Sequence, residues 1–140
     1  MSTEENKALD RHVLEKVWHK GNLAVVDELA DENVVNHVPS GPPLKGPEAY
    51  KQFVLMYRSA FPDLHFTIED QIAEGDKVVM RYTARGTHKG ELMGIPPTGK
   101  QITVTGITIG HIVGGKYVES WANYDALGMI QQLGVIASMG

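Results

Sequence analysis

Two residues near the carboxyl end of the chain, His111 and Asp125, have side chains suited to proton transfer. His111 lies near the end of one predicted strand, and Asp125 follows a second one. Apolar-rich strands joined by Gly114-Gly115 are typical of a β-hairpin. We therefore expect the hairpin to bring the imidazole and the carboxylate to the same end of a sheet. A carboxyl group in an apolar pocket has a raised pKa and can exchange protons near neutral pH.

Both residues also have a purely structural interpretation. An Asp placed directly before Ala126-Leu127-Gly128 is favoured as the N-cap of a helix. His111, at a strand end, can equally well point to solvent. The sequence leaves these alternatives open, and capping and catalysis by Asp125 are compatible with each other.

Two further histidines are candidates for binding a ligand. His88 continues the alternation of Tyr82 and Ala84, which predicts that it faces the apolar side of its strand, unless the strand ends before it. His37 alternates with Val35, which favours a buried or rim position. A core histidine with satisfied hydrogen bonds is the alternative interpretation for His37.

Trp121 and Asn123 share one face of the strand that leads to Asp125. Their position makes them candidates for contact with a bound substrate. A tryptophan in such a strand is more often part of a core or of an interface. Both interpretations of this strand face remain open from the sequence.

The elements that would position these residues change character at Pro62. Before it, apolar residues recur at helical spacing in three segments, with a short strand around residues 34–38 among them. After it, apolar and polar residues alternate, as in an antiparallel meander, and a last helix is predicted over residues 127–133. Helices first and strands later indicate an α+β fold. We expect the helices to pack on one face of a curved antiparallel sheet, forming a cone with a pocket inside.

Composition limits the possible classes of function. A chain of 140 residues is predicted to form one domain, 1–140, and the absence of cysteine excludes disulfides and thiolate chemistry. The net charge of −4 argues against a nucleic-acid partner. No apolar run reaches the ~20 residues of a membrane span. The polar, acidic N-terminus does not resemble a signal peptide, so we expect a cytoplasmic protein.

The motifs that usually mark cofactor or metal sites are missing. The chain contains neither a phosphate-binding GxxxxGK[ST] or GxGxxG loop nor a GxSxG nucleophile elbow. Its six histidines form no HExxH or HxH pattern. We therefore expect no cofactor and no bound metal.

Several stretches together resemble one family. GTHKGELMGIPPTGKQITVTGI, then a GK turn and ESWANYDALGMIQQLG, are similar to the SnoaL-like polyketide cyclases, the ester-cyclase branch of the nuclear-transport-factor-2-like (NTF2-like) superfamily. VWHKGNLAVVDEL, VVNHVP, GPEAYKQFV and FPDLHFTIED extend the similarity from about Lys7 to Gly134. The resemblance implies a cone-shaped α+β barrel with a deep apolar cavity, commonly in homodimers or larger homo-oligomers.

The resemblance also implies a mechanism and site residues. In the characterised cyclases a cavity aspartate acts as acid and base in an intramolecular aldol ring closure of a hydrophobic ketone, without metal or cofactor. Asp125 matches that aspartate, His111 matches the histidine of the preceding strand, and His37 and His88 match cavity-lining positions. The chain departs from the pattern at Ile109. At this position, two residues before the histidine, the characterised cyclases are expected to have a polar residue that assists the reaction.

Three functions are therefore compatible with the sequence. The first is a cyclase, or a related lyase or isomerase, acting on a hydrophobic polyketide-like ketone. The second is a small-molecule binding protein that uses the same cavity without chemistry, which Ile109 favours. The third is a structural domain whose exposed sheet face binds another protein. A contact between Asp125 and His111 inside a closed cavity would favour the first function, and a dry cavity without a carboxylate would favour the second. A filled cavity with an apolar patch on the outer surface would favour the third.

Overall fold

The computed structural model describes residues 1–135, so the last five residues of the predicted domain, 136–140, lie outside the described part. The helices are α1 (Thr3–Val13), which continues as a π-helical segment (Leu14–His19), α2 (Ala24–Leu29), α3 (Pro47–Ala60) and α4 (Ala126–Gln132). The strands are β1 (Ala30–His37), β2 (Leu44–Lys45), β3 (His65–Glu74), β4 (Lys77–Thr87), β5 (Gln101–Val113) and β6 (Lys116–Tyr124).

The described strands form one curved sheet in the order β2-β1-β6-β5-β4-β3. The meander β3-β4-β5-β6 is antiparallel, as predicted, and the α+β class is confirmed. The pairing of β1 with β6 is parallel, so the sheet is mixed and this pair joins the predicted antiparallel meander. A parallel pair needs a long crossover connection, and here the whole stretch from β2 to β5 supplies it.

Helix α1 begins at Ser2, where the sequence predicts a capping box. The Ser2 hydroxyl accepts from the backbone N–H of Glu5 at 3.1 Å, and the Glu5 carboxylate accepts from the N–H of Ser2 at 3.1 Å. At the other end, the Arg58 guanidinium donates to the carbonyl oxygens of Trp18 and His19. These two caps fix the long N-terminal helix across the sheet.

The period-two pattern of β4 and β5 creates an inner and an outer face of the sheet. Val78, Met80, Tyr82 and Ala84 are buried on β4, and Ile102 and Val104 are buried on β5. The intervening residues of both strands are more exposed. The inner face packs against α3 and α4 and forms the main hydrophobic core. Within residues 1–135, no helix is long and apolar enough to cross a membrane.

The β5–β6 hairpin turns at Gly114 and Gly115, whose φ values of 58° and 80° lie in the left-handed region that favours glycine. The predicted hairpin is thus confirmed, but its expected consequence is wrong. His111 lies three residues before the turn, whereas Asp125 lies ten residues after it. The N–H of Asp125 donates to the carbonyl of Thr105 at 3.1 Å, six residues from His111 along β5. At ~3.4 Å per residue, the two are separated by roughly 20 Å.

Candidate functional site

A cavity of about 180 Å³ lies between the N-terminal helices and the inner face of the sheet. Most of its lining is aliphatic and aromatic, from α1, α2, α3 and strands β1, β4, β5 and β6. The tyrosines are distinctive, because all five tyrosines of the chain line this one cavity: Tyr50, Tyr57, Tyr82, Tyr117 and Tyr124. Their hydroxyl groups supply neutral hydrogen-bonding groups to an otherwise apolar space.

Asp10 of α1 is the only carboxylic acid among the described residues that line the cavity. The Tyr117 hydroxyl donates to Asp10 Oδ1 at 2.5 Å. Asp10 Oδ2 is buried and has no hydrogen-bond partner among residues 1–135. Burial raises the pKa of Asp10, and this outweighs the opposite effects of Tyr117, Gln71 and Arg11. The site therefore favours the protonated carboxyl more than water does.

The tyrosines beside Asp10 stay protonated. Burial raises the pKa of Tyr117 well above its ordinary value, and proximity to Asp10 adds to this effect. Burial raises the pKa of Tyr50 to about 12, although the Trp18 indole N–H donates to the Tyr50 hydroxyl at 2.9 Å. Both tyrosines thus act as neutral groups at physiological pH.

Three more tyrosines meet farther along the cavity. The hydroxyl oxygens of Tyr57 and Tyr124 are 2.7 Å apart. The Tyr82 hydroxyl lies against Gly106, at the place that a Cβ would occupy. Burial raises the pKa values of Tyr57 and Tyr82, so these hydroxyls also remain protonated. We call Tyr57, Tyr82 and Tyr124 the three-tyrosine cluster.

The cavity contains few other polar groups. The Ser120 hydroxyl donates to Asn36 Oδ1, so these two polar groups of the lining are paired with each other. Ile109 borders the cavity between Thr108 and Gly110. No histidine, lysine or arginine lies among the described lining residues, and within residues 1–135 no three potential ligand side chains converge as a metal site.

Asp125 has the structural role that the sequence left open. Its Oδ1 accepts from the N–H of Gly128 at 2.9 Å, which makes Asp125 the N-cap of α4. The residue is exposed and does not line the cavity. The expectation that Asp125 lies in an apolar pocket is therefore wrong, because the end of β6 carries it past the inner face to the surface.

His111 and the residues opposite it on the two adjacent strands lie on the outer face. His111 is in register with Lys77 on β4 and Glu119 on β6, and it is absent from the cavity lining. The expected pairing of His111 with Asp125 in one cavity is thus wrong. Strand alternation explains the position, since the adjacent Gly110 and Ile112 are the buried inner-face residues.

His37, Trp121 and Asn123 also fall outside the cavity lining, contrary to the prediction. His37 Nε2 is 2.6 Å from a carboxylate oxygen of Glu119, and the His37 ring stacks on Trp121 with 5.5 Å between centroids. The Lys77 ammonium lies 5.8 Å from the centre of the Trp121 ring. Asn123 is exposed. On β6 the even-numbered residues from 120 to 124 line the cavity, so residues 119, 121 and 123 point away from it.

His88 is fully buried but does not line the cavity, which agrees with the alternative that the strand ends before it. The strand ends at Thr87, and His88 begins a loop. The N–H of Thr98 donates to His88 Nδ1 at 3.1 Å, and the Thr98 hydroxyl is 3.0 Å from the same nitrogen. His88 therefore anchors the two ends of the loop to each other.

Sequence reasoning missed Asp10, although a signal was present. Asn6, Asp10, Val13 and Val17 are spaced by four, three and four residues, which places them on one face of a helix. Asn6 and Val17 are buried, and Asp10 and Val13 are partly buried. A carboxylate on the buried stripe of an amphipathic helix was the sign of a functional or paired acid.

Comparison with known proteins agrees on one family. The sequence profile of the SnoaL-like polyketide cyclases matches residues 9–133. An aklanonic acid methyl ester cyclase of Streptomyces peucetius is 34% identical over 121 residues, which cover 81% of this chain and 82% of that protein. The predicted family resemblance is thus confirmed.

Two solved structures extend the comparison to the fold. TsrD of Streptomyces laurentii is 28% identical, with a TM-score of 0.85 over 97% of this chain and 99% of that one. A SnoaL-like polyketide cyclase of Agrobacterium tumefaciens has a TM-score of 0.77 over 96% of this chain and 100% of that one. At 21% identity, the latter similarity supports the fold alone.

Proposed function

Because the chain belongs to the SnoaL-like polyketide cyclase family, we propose that it catalyses a cofactor-free acid–base reaction on a small hydrophobic ketone. The reaction class is aldol-type cyclisation, or related lyase or isomerase chemistry. Asp10 is the proton-transfer group in this proposal. The observation that carries it is a carboxyl group of raised pKa in an apolar cavity.

The proposed chemistry needs only one carboxyl group. Asp10, as the carboxylate, takes a proton from the carbon beside a ketone, which forms an enolate and the carboxylic acid. The enolate carbon then attacks a second carbonyl of the same molecule, and a carbon–carbon bond forms. The resulting alkoxide takes the proton back from Asp10, so the reaction has no net proton change and no redox step.

The surroundings of Asp10 favour such a cycle. Tyr117 holds Oδ1 by a hydrogen bond, and we assign the substrate proton to Oδ2, which has no hydrogen-bond partner among residues 1–135. A raised pKa makes the carboxylate a stronger base and keeps the acid populated closer to neutral pH. The apolar walls hold a folded ketone and exclude water, which brings the reacting carbons together.

The first test measures proton abstraction itself. 1,4-Diacetylbenzene is a one-ring ketone of suitable size, since an apolar cavity of about 150 Å³ accepts benzene. In heavy water, the protein should accelerate deuterium uptake at the acetyl methyl groups, followed by NMR. Asp10→Asn should lower the catalysed rate by about 100-fold or more, because it removes the proton acceptor.

Asp125→Asn is the matched control. It makes the same chemical change in a carboxylate that caps α4 and does not line the cavity, so exchange should continue at the rate of the parent protein. Unchanged exchange in Asp10→Asn would refute Asp10 as the base. Loss of exchange only in Asp125→Asn would restore the interpretation based on the sequence.

A non-catalytic binding protein is the second candidate function. The observation that favours it is the position of Asp125 and His111, both of which lie outside the cavity lining. Binding of 1,4-diacetylbenzene, measured by calorimetry, without accelerated deuterium uptake would support this candidate. Binding together with uptake that depends on Asp10 would support the cyclase-type chemistry.

The homodimer or larger homo-oligomer implied by the resemblance remains a prediction. On the outer face, Ile72 of β3 is in register with Val79 of β4, and Trp121 of β6 also points away from the cavity. Ile72 is 64% exposed. Light scattering coupled to size-exclusion chromatography should give at least twice the chain mass of 15.4 kDa. A mass of one chain would refute the prediction.

A further inference from the structure

We propose that the three-tyrosine cluster is a binding site for a carbonyl oxygen of the ligand, remote from Asp10. The inference rests on the proposed ketone ligand and adds its shape: a mainly apolar molecule with oxygen atoms toward both ends. Tyr57, Tyr82 and Tyr124 would hold the far oxygen, while the carbon to be deprotonated lies beside Asp10.

Counting protons shows that the cluster has hydrogen-bond donors to spare. Tyr57 and Tyr124 carry two hydroxyl protons, and the 2.7 Å bond between them uses one. The nearest further partner among the described residues is the Ser40 hydroxyl, 3.5 Å from Tyr124, at the limit of hydrogen-bond distance. The Tyr82 hydroxyl makes no hydrogen bond within residues 1–135. Two protons therefore remain for a ligand acceptor.

Gly106 is what allows these side chains to converge. A Cβ at this position would collide with the Tyr82 hydroxyl and would lie 3.0 Å from the Cβ of Tyr124. Tyr57 and Tyr82 are each 7% exposed, so their hydroxyls are largely shielded from solvent. Hydrogen bonds from such shielded donors to a carbonyl gain strength because water competes poorly for them.

The cluster and Asp10 lie toward different ends of the cavity. Asp10 bonds to Tyr117 at the start of β6, and the cluster includes Tyr124 at the end of the same strand. Seven residues of strand separate the two tyrosine Cα atoms by roughly 24 Å. Between the two ends the lining is chiefly aliphatic and aromatic. A ligand with one oxygen atom can form a hydrogen bond at only one end of the cavity.

The test combines two probes with matched variants. 4,4′-Diacetylbiphenyl has a carbonyl at each end and is one ring longer than 1,4-diacetylbenzene, as the separation of the two ends requires, and 4-acetyl-4′-ethylbiphenyl replaces one acetyl group by ethyl. Calorimetry should show the diacetyl probe binding about fivefold more tightly, which corresponds to one net hydrogen bond. Tyr82→Phe and Tyr124→Phe should each bring the affinity ratio of the two probes close to one. Thermal unfolding checks that both variants fold.

Tyr50→Phe is the control, because Tyr50 lines the cavity but lies outside the cluster, with its hydroxyl paired to Trp18. It should keep the affinity ratio of the parent protein. An unchanged ratio in both cluster variants, or an equal loss in Tyr50→Phe, would overturn the inference. The affinity ratio does not depend on turnover, so its outcome is distinct from failure of Asp10 as the base.

Discussion

The inner and outer faces of the sheet are formed by the same strands, yet they carry different polar groups. The inner face presents tyrosine hydroxyls, and the helix packed on it adds the carboxyl of Asp10. The outer face carries His37 and His111 with charged partners such as Lys77 and Glu119. The imidazoles of His37 and His111 therefore lie on the face that does not line the cavity.

The contrast shows that the residue type alone is a poor guide to the site. An outer-face imidazole in contact with solvent and an ion-pair partner is a common surface arrangement. A carboxyl group among apolar side chains is uncommon, and burial changes its chemistry. The inner face therefore has fewer ionisable groups, but burial there changes the pKa of its carboxyl group.

Placing a charge on each face tests the contrast most severely. Val104→Asp puts a carboxylate on the inner face, where Val104 is 5% exposed. We expect the free energy of unfolding to fall by about 3–5 kcal/mol, because the buried charge has no partner. Urea denaturation followed by tryptophan fluorescence measures this change.

Ile107→Asp is the outer-face counterpart. Ile107 is 46% exposed and lies in register with Arg81, so the new charge stays hydrated beside a cation. Its effect should stay within about 0.5 kcal/mol, as for most surface substitutions. Equal losses in the two variants would show that the outer face is also buried in solution, as in an oligomer.

The pH dependence of stability tests whether the pKa of the Asp10 carboxyl is raised. A raised pKa means that the folded protein holds the Asp10 proton more tightly than the unfolded chain does. Its contribution to stability is complete below the unfolded value of about 3.9 and is lost as pH rises through the folded pKa. As the pH rises, the parent protein loses this contribution and Asp10→Asn does not. The melting temperature of Asp10→Asn should therefore increase relative to that of the parent protein.

Calorimetric melting curves from pH 3 to pH 8 measure this difference. Tyr117→Phe removes a hydrogen bond that lowers the pKa of Asp10, so the pKa should rise further in that variant. The loss of stability with rising pH should therefore occur at higher pH. A difference between Asp10→Asn and the parent protein that does not change with pH would contradict a raised pKa.

The N-cap of α4 gives a smaller expected effect. Asp125→Ala removes the acceptor for the Gly128 N–H and should cost about 1 kcal/mol in the free energy of unfolding. Binding of 1,4-diacetylbenzene should not change, since Asp125 does not line the cavity. Weakened binding with unchanged stability would indicate a direct role for this carboxylate in the ligand site.

The smallest effect is expected on the outer face. Glu119→Gln removes the charge that faces His37, and the two side chains are 37% and 36% exposed. Because solvent screens such a pair, the free energy of unfolding should change by less than about 1 kcal/mol. Chemical denaturation at pH 6 is the measurement, and a loss of several kcal/mol would show that this pair is buried by a partner.

The sequence alone determined the class of fold and the family. The change from helical to alternating periodicity at Pro62 predicted helices followed by a meander, and the Ser2 capping box and the Gly114-Gly115 turn were correctly placed. These features depend on interactions between near neighbours in the chain. The motif around Gly94 to Gly106 identified the family because it needs only the order of residues.

Only the tertiary structure decided which residues surround the cavity. His111 and Asp125 belong to one hairpin, but the register of β5 with β6 puts Asp125 beside Thr105 instead. Asp10 reaches Tyr117, which is 107 residues away in sequence, because α1 crosses the inner face of the sheet. Periodicity predicts which residues share a face, whereas long-range packing determines which faces meet and which carboxyl loses its water.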